Sequence, residues 1–367
     1  MTSQDEEFRA PRVRGGQFEI WRSNVREAVL DSVDEFVADR CAVDLRGAGV
    51  DVAADVLVGF VSGGKCLRST FMFLGWLCGA EASHAALHAA ASLELLHAFA
   101  LLQDDVMDGS PLRRGRETAH VQFAAWHRGR GLSGSAERFG ESAAVLLGDL
   151  CLVWAEQMLR NSGLDHSALS RAWPRYDAMR SELAVGQFAD LVNDVGGLPT
   201  LDQVLEVARR KSGNYTVRRP LEIGAAMAGC GDFALTRLGR YGDAVGEAFQ
   251  LRDDLLGIFG SPEVTGKPVG ADLAEHKATS VVVAAHHMAD PCLRSELDEL
   301  MSTPALDEVD VDRGRSLIAA TGAVERIEKM IADRLLCASQ AIDHSRLDDA
   351  VCSALLHMAS ACTQRAA

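Results

Sequence analysis

The sequence predicts an all-α protein, and three observations predict it. Apolar residues recur every three or four positions, long Ala- and Leu-rich runs favour helix, and alternating runs of β-branched residues are nearly absent. From Phe18 onward, Phe18, Trp21, Val25, Val29, Val33 and Phe36 mark one helical face. Ala85 to Asp105 has almost no polar face, which predicts a buried helix. Further helices are predicted over Ala143 to Arg160, Ser167 to Asp190, Leu201 to Lys211 and Tyr215 to Met227. Phe233 to Leu256, Lys277 to Met288, Val309 to Thr321 and Ala323 to His344 complete the set. Three loops stand out: His127 to Gly140, the turn Asn193 to Thr200, and Gly260 to Thr279, whose length beside an acidic pair suits a lid. No linker divides the chain, so residues 17–367 are expected as one all-α domain behind a mobile tail of residues 1–16.

The composition is that of a globular protein: 367 residues, 48% hydrophobic, 24% charged. A net charge of -15 excludes a general nucleic-acid binder, which needs a basic footprint. The nine cysteines are odd in number and form no CxxC pair, so reduced cytoplasmic thiols are expected rather than disulfides or a zinc site. The charged start lacks the apolar core of a signal peptide. No 18-residue stretch is both charge-free and strongly apolar, and the best candidate, Phe71 to Ala80, is too short to span a bilayer.

The most informative feature is a pair of carboxylate clusters, Asp104-Asp105-Val106-Met107-Asp108 and Asp253-Asp254, each running out of an apolar helical stretch. Adjacent carboxylates repel and are costly to bury without positive charge between them. On a helix, Asp104 and Asp108 share a face, and Asp105 lies about 100° round from Asp104. A solvated acidic helix end is the plainer reading, but the apolar run Leu93 to Leu102 argues against it. Hard oxygen donors on a rigid helix suit Mg²⁺, which takes one or two carboxylates and shares its other positions with water and phosphates. Two such clusters facing each other would hold several Mg²⁺ ions around one diphosphate.

Cations accompany the carboxylates. Arg113 and Arg114 follow the first cluster, and guanidinium forks match phosphate oxygens. A salt bridge to the aspartates is a plain alternative for one of them. Gly63-Gly64-Lys65-Cys66-Leu67-Arg68 sets two cations three residues apart behind a glycine pair, without the spacing of a P-loop. Lys211, Lys267 and Lys277 stand at predicted helix ends or loops, where a surface lysine is the plainer reading. Gln250 precedes Asp253 by three positions, near its face.

In this order, GGKxxR, DDxxD followed by LRRG, Lys-Ser, FQxxDD and GKPxGxDL resemble the trans-isoprenyl diphosphate synthases, or polyprenyl synthetases, from about residue 18 to the C-terminal helices. The resemblance implies a helical bundle around a central cavity, a homodimer, and three Mg²⁺ ions bound by Asp104 and Asp108 on one side and Asp253 on the other. It implies Arg113, Lys211, Gln250, Lys267 and Lys277 on the allylic diphosphate (dimethylallyl, geranyl or farnesyl). Lys65, Arg68, His97 and Arg114 are implied on isopentenyl diphosphate; without the resemblance, His97 reads as a core histidine. The implied reaction ionises the allylic substrate, adds the double bond of isopentenyl diphosphate and loses a proton to the released diphosphate. Polar groups near Lys211, Tyr215 and Gln187 would stabilise the cation.

Some positions depart from the family pattern. Gly257 stands where a third aspartate is frequent, Cys66 and Ser69 where Arg and Pro are, Glu117 where Pro is, and His276 where Gly is. Phe99 and Ala100, five and four positions before Asp104, fall on the implied product tunnel wall. One bulky and one small residue there resemble geranylgeranyl (C20) synthases, with farnesyl (C15) synthases second. A class I terpene cyclase would need an N-D-x-x-S-x-x-x-E motif, which the only Asn-Asp pair, Asn193-Asp194, does not begin. A non-catalytic regulatory subunit is opposed by the intact acidic and basic positions.

Overall fold

The computed structural model describes residues 8–10, 15–113, 115–194, 198–262, 268–343 and 347–364. Almost all of these are helical, and the only strands among them form one short hairpin. The chain separates into two compact units, residues 1–172 with 223–230, and residues 173–222 with 231–367.

The first unit begins with α1 (Gly15–Arg40), followed by one wide turn (Cys41–Leu45), α2 (Asp51–Val61) and α3 (Leu67–Leu77). Next come α4 (His84–Met107), the hairpin strands β1 (Leu112–Arg113) and β2 (Arg116–Glu117), α5 (Ala119–Gly129), α6 (Ala136–Arg160) and the start of α7 (His166–Asp194). Along α1, Phe18, Trp21, Val25, Val29, Val33 and Val37 are all buried, and the stripe continues at Cys41. Val37, not the expected Phe36, continues it, because Val37 falls one turn beyond Val33 while Phe36 turns partly outward.

Within this unit α4 packs against α6, α3 and α1. Its Leu87, Leu93, Leu95, Leu96 and Leu102 are fully or almost fully buried. By length and composition α4 and α6 would each pass for membrane spans, although no such stretch was expected. In α4, however, 61% of the apolar window is buried within the protein. Part of the expected tail is anchored here too. Phe8 is buried with its ring 6.4 Å edge-on from Phe73, and its carbonyl accepts a hydrogen bond from Trp21 Nε1 at 3.1 Å.

In the second unit α7 continues to Asp194, and α8 (Leu201–Ala208) runs through a stretch of wide π-type turns (Arg209–Arg218) into the start of α9 (Arg219–Met227), whose residues from 223 onward belong to the first unit. The sequence predicts two separate helices here. One continuous rod forms because nothing breaks the backbone between them. The long α10 (Asp232–Phe259) is followed by a single turn, α11 (Ala271–Ala274), and then by α12 (Ser280–Met288), α13 (Pro291–Met301), α14 (Glu308–Ala320), α15 (Ala323–Ile342) and α16 (Asp349–Thr363). Ala248, Leu251, Leu255 and Ile258 of α10 meet Leu273, Val281, Ala285, Ile318 and Ile327 in the unit's core. Tyr241 Oη donates to the Leu355 carbonyl at 2.6 Å and ties α16 to α10.

The wide-turn stretch crosses α10 where two glycines meet. A Cβ at Gly246 would stand 2.7 Å from Gly213 Cα, so backbone lies on backbone. This contact fixes Lys211 to Thr216 against α10 just before Gln250 and Asp253. Gly246→Ala is expected to cost about 1–3 kcal/mol of stability by forcing the two segments apart. Urea denaturation of the variant checks this.

Candidate active site

The first acidic cluster ends α4. Asp105 is the buried member, 1% exposed, whereas the Asp104 side chain is 24% exposed and Asp108 lies in the open at the helix end. A helix C-terminus repels carboxylates, so a cation is required, and Arg113 supplies it. Its Nε donates to both Asp105 oxygens at 2.8 and 3.0 Å, and its Nη2 lies 2.6 Å from Asp105 Oδ1 and 3.5 Å from Asp104 Oδ2. The hairpin makes this possible. Leu112 pairs with Glu117 and Arg113 with Arg116, which folds the chain back toward the helix end. Burial pushes the Asp105 carboxyl above the usual carboxylate range, and Arg113 opposes that push. For Arg113 burial opposes the charge, but the bonds and charge of Asp105 outweigh it and raise its pKa.

Beside this helix lies a cavity of about 370 Å³ lined by Gly63, Gly64, Glu94, His97, Arg113 and Arg116, among others. Gly63 and Gly64 adopt φ values of 101° and 111°, which side-chain-bearing residues rarely reach. Arg26 Nε donates to the Gly64 carbonyl at 2.6 Å and holds the loop from α1. Lys65 is exposed and Arg68 half-buried at the start of α3. Phe99 and Ala100 are half-buried on α4. Arg114 and Lys267 lie outside the described residues.

The second cluster repeats the pattern. Asp254 is 6% exposed and Asp253 half-buried. Asp254 accepts from Ser280 N at 2.9 Å, Ser280 Oγ at 2.5 Å and Gln250 Nε2 at 2.7 Å. Gln250 therefore engages Asp254, one turn on, rather than Asp253. Burial raises the Asp254 pKa against these donors, and Asp190 adds to the rise. Lys211 Nζ lies 2.6 Å from Asp190 Oδ2, and Lys277 Nζ 2.8 Å from Glu275 Oε2. Tyr215 and Thr216 are buried in the wide-turn stretch, a distortion frequent at functional sites.

Three of the departures from the family pattern have a local setting in the structure. Cys66 sits in the left-handed region, φ 47°, with its side chain buried. Ser69, buried, donates to Glu94 Oε1 at 2.6 Å and joins α3 to α4. His276 is also left-handed, φ 56°, where glycine would be unstrained. Its Nε2 lies 2.7 Å from the Thr303 carbonyl, which anchors the turn. Arg26, Glu94, Asp190 and Ser280 went unnoticed in the sequence. Only Glu94 carried a signal, as the lone acid in the apolar run before Asp104.

Comparison with known proteins identifies the family. The pattern of the polyprenyl synthetase family matches residues 51–317. A geranylgeranyl diphosphate synthase of Mycobacterium tuberculosis is 35% identical over 77% of this chain and 75% of its own. A geranylfarnesyl diphosphate synthase of Aeropyrum pernix is 34% identical over 73% and 79%. A solved geranylgeranyl pyrophosphate synthase of Corynebacterium glutamicum, complexed with isoprenyl diphosphate and magnesium, superposes with a TM-score of 0.89 at 35% identity, covering 94% of this chain and 99% of that one. The chain belongs to the polyprenyl synthetase family and is a trans-prenyltransferase with that family's all-α fold.

The Asp254 environment makes a pH-dependent prediction. Ser280→Ala removes a hydroxyl donor from a buried carboxylate, so the folded pKa rises further. The added penalty exists only while Asp254 is ionised. A loss of about 1–3 kcal/mol is therefore expected at neutral pH, shrinking as the pH falls into the carboxylate range. Chemical denaturation at both pH values measures it.

Proposed function

We propose that this chain is a geranylgeranyl diphosphate synthase, joining isopentenyl diphosphate head-to-tail to an allylic diphosphate and releasing the C20 product. The observation that carries the reading is the division of labour in each aspartate pair. One member is buried and hydrogen-bonded, and the other is only partly buried. Such carboxylates fit Mg²⁺ by donor chemistry. Mg²⁺ takes few protein ligands and completes its shell with water and phosphate. Asp104, Asp108 and Asp253 would hold it, as three ions with the allylic diphosphate. When bound, Mg²⁺ neutralises charge on the leaving diphosphate.

The chain's own residues do the rest. Arg113, Lys211, Gln250, Lys267 and Lys277 orient the allylic diphosphate and stabilise its developing negative charge. Lys65, Arg68, His97 and Arg114 bind the diphosphate of isopentenyl diphosphate; of these, His97 lines the cavity along α4, whose volume suits a small ligand. As the allylic C–O bond breaks, its electron pair leaves with diphosphate. The double bond of isopentenyl diphosphate attacks the cation, and the diphosphate accepts the lost proton, so no strong protein base is needed. The apolar flank of α4 keeps water from quenching the cation. The active form on this reading is a cytoplasmic homodimer, and exposed Leu146 and Val153 on α6 offer a second copy an apolar surface.

The test is incubation of the purified chain with Mg²⁺, isopentenyl diphosphate and each allylic primer in turn, with products resolved by carbon number. A C20 product is expected. A C15 or longer product keeps the reaction and rejects the Phe99 ruler. A released hydrocarbon indicates a cyclase, and diphosphate binding without condensation a regulatory subunit. Phe99→Ala is expected to lengthen the product, and an unchanged chain length would refute the ruler. Asp104→Asn is expected to lower turnover on the order of a hundredfold or more, read in the same assay.

A further inference from the structure

The ten residues Arg209–Arg218 are wound in wide π-type turns, a rare geometry in protein helices. The tighter α-helix is the backbone's default, so a wide run of this length persists only where its surroundings hold it. Two glycines one turn apart on α10 bring backbone onto backbone. A Cβ at Gly246 would stand 2.7 Å from Gly213 Cα, and one at Gly242 would stand 2.5 Å from Arg218 Cα. From another side α7 presses on the stretch at Gly186, where a Cβ would stand 2.8 Å from Lys211 N and 3.0 Å from its Cα.

Each of these α10 glycines is followed by a carboxylate. Asp243 follows Gly242 and Glu247 follows Gly246, so the two acids lie four apart on one helix face. Arg218, the last residue of the wide-turn stretch, donates from Nη1 to Asp243 Oδ1 at 2.8 Å. Arg209, the first residue, donates to Glu247 Oε1 from Nη2 at 2.8 Å and from Nε at 3.1 Å. The Glu247 side chain is only 9% exposed, and its Oε2 lies 2.5 Å from Arg334 Nε on α15. Burial works against the Arg209 charge, yet the bonds and charge of Glu247 outweigh it and raise its pKa. Each arginine makes a further bond within its own rod, Arg209 to Glu206 and Arg218 to Glu222. Asp243 and Glu247 therefore supply the cross-links from the two ends of the stretch to α10.

We infer that Asp243 and Glu247 are positioning residues for Lys211. They hold both ends of the wide-turn stretch, and so fix the register of Lys211 against the helix that carries Gln250 and Asp253. A wide turn holds more residues than an α-turn. Once its ends are released, the stretch tightens and re-aims every side chain along it, Lys211 included. The inference rests on the proposed role of Lys211 at the allylic diphosphate.

The test is a double-mutant cycle on the full chain. Asp243→Asn and Glu247→Gln keep the side-chain shapes and remove the charges; they are made singly, together, and together with Lys211→Ala. KM is measured for geranyl diphosphate and for isopentenyl diphosphate, and Mg²⁺-dependent binding of inorganic pyrophosphate is read by calorimetry. The paired charge variant is expected to raise the allylic KM and weaken pyrophosphate binding on the order of tenfold, with the isopentenyl KM unchanged. In the Lys211→Ala background the same two changes are expected to add less than about twofold, because the residue they position is gone. Glu247→Gln alone carries the test, on the same split of KM values, if the paired variant does not fold. An unchanged allylic KM overturns the inference, as does an equal rise in both KM values or full additivity with Lys211→Ala, since either marks a general loosening. Unmodified chain that does not condense, or Lys211→Ala that leaves the allylic KM untouched, removes the functional reading itself, an outcome visible before the Asp243 and Glu247 variants are compared.

Discussion

The cost of placing adjacent carboxylates at the ends of apolar helices governs this molecule. Each aspartate pair resolves it in the same way. The second member turns inward and its charge is met by donors the fold brings to it: Arg113 for Asp105, and Ser280 with Gln250 for Asp254. The first member, Asp104 or Asp253, is only partly buried. A buried charge without partners would shift its pKa or unfold its surroundings. The hairpin at residues 112–117 and the start of α12 are thus structural necessities as well as parts of the site.

A second constraint is close approach of backbones. Gly213 on Gly246 brings the wide-turn stretch bearing Lys211, Tyr215 and Thr216 onto α10. The π-type turns widen the helix there and leave the rod continuous through α8 and α9. Lys211 then reaches Asp190 on α7, so three elements of the second unit share one charged surface. Such contacts tolerate little change because packed interiors transmit small displacements.

The departures from the family pattern follow the same physics. Two of the altered residues find partners nearby: Ser69 donates to Glu94, and His276 meets the Thr303 carbonyl. A motif read along the chain treats such positions as losses.

Much of this was legible in the sequence. Periodicity gave the all-α class and the buried stripe of α1, and ordered motifs gave the family, because helical burial and phosphate chemistry leave regular spacings of apolar, acidic and basic residues. The sequence alone also located both acidic pairs. It missed α2, α3, α5, α11, α13, α16 and the hairpin, whose short or weakly periodic stretches carry little local signal. It placed Gln250 near Asp253, whereas the amide turns to Asp254. Tertiary structure decided which aspartate of each pair is buried and which donors meet it. Those outcomes depend on residues far apart in the chain, such as Asp254 with Ser280, and local periodicity carries no record of them.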